Sequence, residues 1–272
     1  MRPRGGEHYR QLKQVLSEFK LHTVCDEAQC PNIGECWEHG AATIILMGDV
    51  CTRRCHFCAV GNGKPAPLDP SEPDNVAGAV VRLGLRYIVL TSVNRDDLPD
   101  QGSNHFARTV EAIHASSPDC GIEVLIPDFR GDRDCISRVA RTPLTVLAHN
   151  AETVPRLYKP VRPGSDYERS LRVLSLAKEL RADLLTKSGL MLGLGETNDE
   201  TLAVARDLRA HGCDILTLGQ YLRPSKNELA VERYVTPKEF VEIREAARVL
   251  GVRHVESGPL VRSSYHAWQH VC

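Results

Sequence analysis

Short apolar runs recur along this chain at the length of a β-strand. Thr43–Met47, Tyr87–Ser92, Ile122–Ile126, Leu144–Ala148, Leu190–Leu194 and Ile215–Leu218 are apolar at successive rather than alternate positions. A strand with one wet face alternates, so runs of this kind predict strands covered on both faces, as in a parallel sheet flanked by helices. Between them the period lengthens. His8–Phe19 puts Leu12, Val15, Leu16 and Phe19 on one helical face. Asn75–Leu83 and His105–His114 also read as helices, and Ser165-Asp166 can cap another over Tyr167–Leu180. Asn198-Asp199 can start Thr201–His211, which Gly212 ends. Pro237 opens a helix through Leu250 that Gly251 ends. Strand and helix alternate about six times, which predicts an α/β barrel or an open parallel sheet.

Two stretches break the alternation. Cys25–Trp37 reads as a loop carrying Pro31, Asn32 and Gly34. Lys64–Pro73 is proline-rich and reads as an extended surface connection, too short for a domain linker.

Composition narrows the function classes. The 272 residues are 42% hydrophobic and 25% charged, ordinary values for one globular domain of barrel size. The net charge of −1 gives no electrostatic pull toward nucleic acid or an anionic membrane. No apolar run approaches the roughly 20 residues that span a bilayer. The segment Met1–Glu7 lacks the apolar core of a signal peptide, so a cytoplasmic location is expected.

The cysteines carry the chemistry. Six of the 10 fall between Cys25 and Cys58, while Cys120, Cys135, Cys213 and Cys272 are scattered. A cytoplasmic chain of this size has no need of disulfide staples, so the clustered six read as metal ligands. The scattered four read as small buried hydrophobes or plain thiols. Cys51, Cys55 and Cys58 follow the first strand in a C-x3-C-x2-C spacing, which can grip three corners of an iron–sulfur cube and leave one iron open. Zinc loops use matched C-x2-C pairs, and no second pair exists here. Cys25, Cys30 and Cys36 form a C-x4-C-x5-C spacing that matches no common zinc finger and offers a second cluster, again one ligand short.

The second triple followed by the first resembles the lipoyl synthase family of the radical S-adenosylmethionine (SAM) superfamily. The likeness runs along most of the chain: Cys25–Trp37, Gly48–Cys55, Thr91–Asp100, His149–Tyr158, Lys187–Glu196, Gln220–Ser225 and Gly258–Ala267 each resemble a family segment. Asn94 departs from the aspartate usual there. The resemblance implies a partial (βα)6 barrel of the TIM type, spanning 43–250. It also implies an N-terminal extension, 1–42, with the auxiliary-cluster cysteines, and a C-terminal extension, 251–272, with the Arg262-Ser263-Ser264-Tyr265 motif.

The same resemblance implies two [4Fe-4S] clusters and SAM as cofactors. Cys51, Cys55 and Cys58 would hold the SAM-cleaving cluster. Cys25, Cys30 and Cys36 would hold the auxiliary one, with Ser264, rather than Ser263, as its fourth ligand. An alkoxide is a harder ligand than a thiolate and can be protonated away, which would ease opening of that cluster. The implied reaction inserts two sulfur atoms, at C6 and C8 of an octanoyl group on a lysine of a lipoyl carrier domain. Two SAM-derived radicals remove the hydrogens and the auxiliary cluster supplies the sulfur. Implied partners are octanoylated acyltransferase subunits of 2-oxoacid dehydrogenases and the glycine cleavage H protein, a ferredoxin or flavodoxin electron donor, and an iron–sulfur carrier for cluster rebuilding. Neither nucleic acid nor membrane is implied.

A barrel places its pocket at the C-terminal strand ends. Thr91, Ser92, Asn94, Arg95, Asn150, Lys187 and Gln220 are candidates there for contacts to SAM or substrate, and Lys187 and Arg223 could bind a carboxylate. Gly193–Glu196 offers backbone groups for close approach to an adenosine. His149 reads as a satisfied core or pocket-wall histidine, and Trp37 and Trp268 as packing residues. Competing readings are another auxiliary-cluster radical SAM enzyme of the biotin synthase kind, a non-catalytic iron–sulfur carrier, and a zinc-stabilised binding module.

Overall fold

The structure is a computed structural model and describes residues 6–27, 30, 32–38 and 43–270. The chain opens with α1 (Glu7–Glu18), β1 (His22–Thr23), α2 (Val24–Glu27), α3 (Ile33–Glu38), β2 (Thr43–Leu46), β3 (Val50–Cys51) and β4 (Gly61–Asn62). It continues through α4 (Glu72–Leu83), β5 (Tyr87–Ser92), α5 (Ser103–Ser116), β6 (Gly121–Leu125), α6 (Arg133–Ala140), β7 (Val146–Ala148) and α7 (Tyr158–Val161). Last come α8 (Tyr167–Leu180), β8 (Leu185–Leu192), α9 (Asn198–Ala210), β9 (Ile215–Gln220), α10 (Pro237–Val249) and β10 (His254–Gly258).

One sheet carries the fold, in the order β1-β2-β5-β6-β7-β8-β9-β10. Every pairing from β2 onward is parallel, and only β1 lies antiparallel, His22 opposite Ile45. β1 and β10 end the order unpaired with one another, so this is an open, barrel-like α/β sheet. Because the strands run together, Ser92, Leu125, Ala148, Leu192 and Gln220 all end at one rim.

Apolar surface covers the sheet from outside. Leu12, Trp37, Val80, Phe106, Val110, Ile136 and Val139 pack over β2 and β5–β7 in one buried cluster. Leu171, Leu174, Val204, Leu208, Phe240 and Ile243 pack over β8–β10 in a second. The helices start on side-chain caps. Asp166 accepts from the Arg169 amide at 2.7 Å, while Thr197 with Glu200 and Thr236 with Glu239 form reciprocal capping boxes.

Several elements differ from expectation. Cys25–Trp37 is not all loop: α2 and α3 hold most of it. Strand β8 starts at Leu185, five residues before the apolar run at Leu190. It hides there because Thr186, Lys187 and Ser188 are buried polar groups with partners elsewhere in the fold. Strand β10 and helix α6 escaped the periodicity, and β10 extends the sheet past residue 250. Cys272 lies outside the described residues.

Candidate functional site

Three turns at the rim of the sheet build the site. After β2 the chain reverses at Met47, at φ +68°, whose amide donates to Glu72 Oε2 at 2.8 Å. His105 Nε2 lies 2.6 Å from the same oxygen. This buried pair fixes where the Cys51–Cys58 loop starts. The loop is then clamped to the turn after β5. Thr52 Oγ1 donates to the Asn94 carbonyl and to Asp96, and Arg53 forks onto Asp96 with two bonds of 2.7 Å. Arg53 also meets Asp128 at 2.8 Å, and Arg169 reaches Asp128 from the other side at 2.8 Å. Burial pushes the Asp128 carboxyl up, but the hydrogen bond and charge of Arg53 outweigh it and hold it well below the usual carboxylate range.

The loop faces a cavity of about 820 Å³ at the C-terminal strand ends. Cys51, Cys55 and Cys58 line it, with Cys25 and Cys30 from the N-terminal segment and Arg262, Ser263 and Ser264 from the C-terminal one. Cys36 is part-buried and does not line it. The two distant segments touch directly. Asn32 Nδ2 donates to the Leu260 carbonyl at 2.6 Å, and Tyr265 Oη donates to Glu35 Oε1 at 3.3 Å. The Tyr265 and His266 rings stack at 3.9 Å.

The sulfur atoms sit in surroundings suited to thiolate ligands. The amides of Asn94 and Arg53 donate to Cys51 Sγ at 3.3 and 3.4 Å, and Asn94 Nδ2 approaches it at 3.7 Å. Burial pushes the Cys55 and Cys58 thiols up to about 11 and about 12. It pushes Cys25 and Cys36 up to about 11 and about 12. Apolar burial of unpaired thiols is unfavourable for their ionised form unless a cation compensates, which a cluster's iron would do. Among the described residues, no group of three or more His, Cys, Asp and Glu side chains is arranged to hold a single metal ion. Three cysteines of one short loop at the cavity wall fit an iron–sulfur group gripped at three corners.

Of the other candidates, Thr91, Ser92, Asn94, Asn150 and Gln220 line the cavity. Ser92 Oγ and Asn150 Oδ1 are buried without a hydrogen-bond partner. Orphaned polar atoms at a cavity wall mark where a polar ligand would bond. Gln220 is occupied: Val235 donates to its Oε1 at 2.8 Å, and its Nε2 donates to the Tyr221 and Arg233 carbonyls. Arg223 lines the cavity and donates to the backbone carbonyls of Glu228 and Lys226. His149 sits in the wall with both ring nitrogens engaged, by Ile126 O at 2.9 Å and Ser170 Oγ at 3.2 Å. Burial drives its pKa down to about 4.

Lys187 requires a correction: it does not reach the cavity. Its ammonium is fully buried and bonds Glu123 at 2.8 Å, and Tyr87 Oη donates to the same carboxylate at 3.1 Å. The reason is the early start of β8, which puts Lys187 near the strand's N-terminal end. Arg95 also turns away, forking onto Asp97. The Gly193–Glu196 turn lies outside the lining, and its first two amides donate to Glu196 at 2.6 and 2.9 Å. Trp37 is buried against Tyr9, with ring centres 4.8 Å apart.

Sequence reasoning missed Glu152, Asp128 and Arg162, all in the lining. Glu152 holds a left-handed backbone at φ +67° and accepts from Asn150 Nδ2 at 3.0 Å. Burial raises its carboxyl pKa against the pull of Arg162. Arg162 donates to the Asn150 and Ala151 carbonyls at 2.7 and 3.2 Å and stacks over the Tyr158 ring. Asp128 and Glu152 each lie a few residues beyond a strand's C-terminal end, the signal that could have found them.

Comparison with known proteins agrees with this geometry. The family model for the radical SAM superfamily matches residues 45–208. The chain is 55% identical to the lipoyl synthase of Thioalkalivibrio sulfidiphilus (strain HL-EbGR7), over 98% of this chain and 84% of that one. It is 56% identical to the lipoyl synthase of Rubrobacter xylanophilus (strain DSM 9941 / JCM 11954 / NBRC 16129 / PRD-1), over 96% and 82%. Among solved structures, methylornithine synthase (PylB) shares the fold with a TM-score of 0.54 at 17% identity, covering 78% of this chain and 69% of that one.

Proposed function

The chain belongs to the radical SAM superfamily and, within it, to the lipoyl synthase family, and from that premise we propose how its own residues divide the work. Family members insert sulfur by radical chemistry and carry a [4Fe-4S] cluster with SAM. When bound, the reduced cluster and SAM supply a radical able to take hydrogen from an unactivated C–H bond, which no acid or base in the cavity could do.

Cys51, Cys55 and Cys58 hold that cluster. Asn94 steadies the Cys51 sulfur with two N–H groups, and Arg53, Asp96 and Asp128 fix the loop. Asn150, Ser92 and Thr91 orient SAM, using the orphaned Ser92 Oγ and Asn150 Oδ1. Cys25, Cys30 and Cys36 hold an auxiliary [4Fe-4S] cluster with Ser264 as the fourth ligand. The observation that carries this reading is that Cys25, Cys30, Ser264 and the Cys51–Cys58 loop line one cavity. A sulfur source and a radical source must reach the same substrate chain, and one shared cavity lets a single bound chain meet both.

The substrate is an octanoyl-lysine of a lipoyl carrier domain, whether of a 2-oxoacid dehydrogenase acyltransferase or of the glycine cleavage H protein. A ferredoxin or flavodoxin supplies electrons, an iron–sulfur carrier restores the auxiliary cluster, and the reaction takes place in the cytoplasm. In support of the last, no helix among the described residues is long and apolar enough to cross a membrane. The test is anaerobic. Reconstituted protein, reductant, SAM and an octanoyl-lysine peptide are incubated, and peptide mass and 5′-deoxyadenosine are followed together. The expected result is a peptide that gains two sulfurs and loses two hydrogens as deoxyadenosine forms. Deoxyadenosine without sulfur on the peptide overturns the auxiliary-site assignment, and neither product from fully loaded protein overturns the whole reading.

A further inference from the structure

The C-terminal segment crosses the end of strand β9, and one glycine of that strand lets it do so. A β-carbon built on Gly219 would overlap the carbonyl oxygen of Val261 and lie 3.1 Å from the carbonyl carbon and 3.3 Å from Arg262 Nη1. The first two are backbone atoms, which cannot swing aside as a flexible side-chain tip can. The same carbonyl oxygen accepts a 2.6 Å bond from Arg262 Nη1. It is therefore caught between the strand beneath it and the guanidinium beside it. Val261 is buried, and its amide closes a turn back to the Gly258 carbonyl at 3.1 Å. Four residues on, Tyr265 donates its amide to the Arg262 carbonyl at 3.0 Å, so the turn bearing Ser264 is built directly on this crossing.

We propose that Gly219 is a positioning residue: its missing side chain seats the 258–265 segment against the mouth of the sheet and so delivers Ser264 to the cavity. The proposal rests on the reading of Ser264 as an auxiliary-site ligand for its purpose, but its geometry stands apart from that reading. Gly219 has an ordinary strand backbone, paired with Gly258 of β10 in register. It is not needed for a left-handed turn, so its role is space alone. The segment is held on its far side by Asn32 and Glu35, the neighbours of Cys30 and Cys36. A displacement at Gly219 would therefore strain the contacts to the auxiliary loop and leave the Cys51–Cys58 loop untouched.

The experiment compares wild type, Gly219→Ala and Ser264→Ala by hydrogen exchange of the cluster-free protein, then by iron content and spectra after reconstitution. Gly219→Ala should raise exchange at the Val261 and Tyr265 amides by about tenfold or more, while the amides of β5 and β6 keep their protection. It should also lower iron and alter the spectrum at the auxiliary site, with the SAM site still loaded. Ser264→Ala should change the auxiliary spectrum without changing exchange. Unchanged exchange in Gly219→Ala overturns the proposal. Raised exchange with no spectral change in either variant supports the seating role but overturns the Ser264 assignment. If Gly219→Ala fails to fold, the Gly219→Ala/Arg262→Ala pair decides. Removing the guanidinium frees the Val261 carbonyl to move, so recovery of folding with a still-mobile segment supports the proposal, and no recovery overturns it.

Discussion

Arg53 sets its guanidinium 2.8 Å from the carboxylate of Asp128, a side chain with no solvent exposure. One residue of the cysteine loop that follows β2 is thereby tied to the turn after β6, two strands along the sheet. A guanidinium can do this because its planar fork bonds Asp96 in two places and still presents a donor to Asp128. Charge pairs in the wall thus help to set the loop's shape.

Arg53→Met should destabilise the protein by about 3 kcal/mol, because buried Asp128 would lose one of its two guanidinium partners and keep Arg169 and the Arg130 amide. Arg53→Lys should recover charge without the fork and fall between the two. Asp128 has a folded pKa below its unfolded value. Its contribution is therefore present above the ordinary carboxylate range and lost as pH falls through it. Urea unfolding across pH checks both statements, and Arg53→Met should show a shallower acid limb. Equal stability of Arg53→Met and wild type at neutral pH would refute the role given to the pair.

His149 predicts a second pH dependence, nearer neutrality. Its pKa drops from 6.5 to about 4 in the fold, chiefly through burial. Between those values the unfolded chain takes up a proton that the folded chain refuses, so stability falls as pH falls. The slope from this group is at most about 1.4 kcal/mol per pH unit. His149→Gln should flatten the stability profile between pH 6.5 and 4.

Lys187 and Glu123 make the clearest separation of stability from binding. Lys187→Met should cost about 3–5 kcal/mol by stranding a buried carboxylate, and adding Glu123→Leu should return most of the loss. SAM affinity, measured on reconstituted protein, should stay the same in the double variant. A large affinity loss there would put Lys187 back in the binding site.

Before a cluster is loaded, Cys25, Cys36, Cys55 and Cys58 should hold protons. With Cys55 and Cys25 raised to about 11 and Cys58 and Cys36 to about 12, these four thiols are neutral near pH 7. Iron–sulfur loading must then release protons and run faster as pH rises. A weakly buffered solution with an indicator dye would record the release, and a pH-independent loading rate would contradict it.

Much of this was legible in the residues. Strand β5 and helix α8 fall on the residues expected of them, because continuous apolar runs and an Asp cap are local signals. The site's thiols were legible because cysteine spacing on a short loop is itself a geometric statement. What failed had partners far along the chain. Thr186 and Lys187 look like loop polarity until Asp214 and Glu123 arrive to satisfy them. Placing β8 too late in turn moved Lys187 to the wrong end of the barrel. Gly219 carries no signal at all in one dimension, since its reason is a carbonyl 42 residues later.

The bond from Asn32 to the Leu260 carbonyl has a consequence in time. Leu260 follows every strand of the sheet, so during synthesis the N-terminal thiols emerge first and gain their far wall last. The Cys51–Cys58 loop takes its bond from the Leu229 amide to the His56 carbonyl at 2.9 Å, about thirty residues before Leu260 is made. The two sites should therefore mature in sequence, the inner one before the one whose wall is built from both ends of the chain.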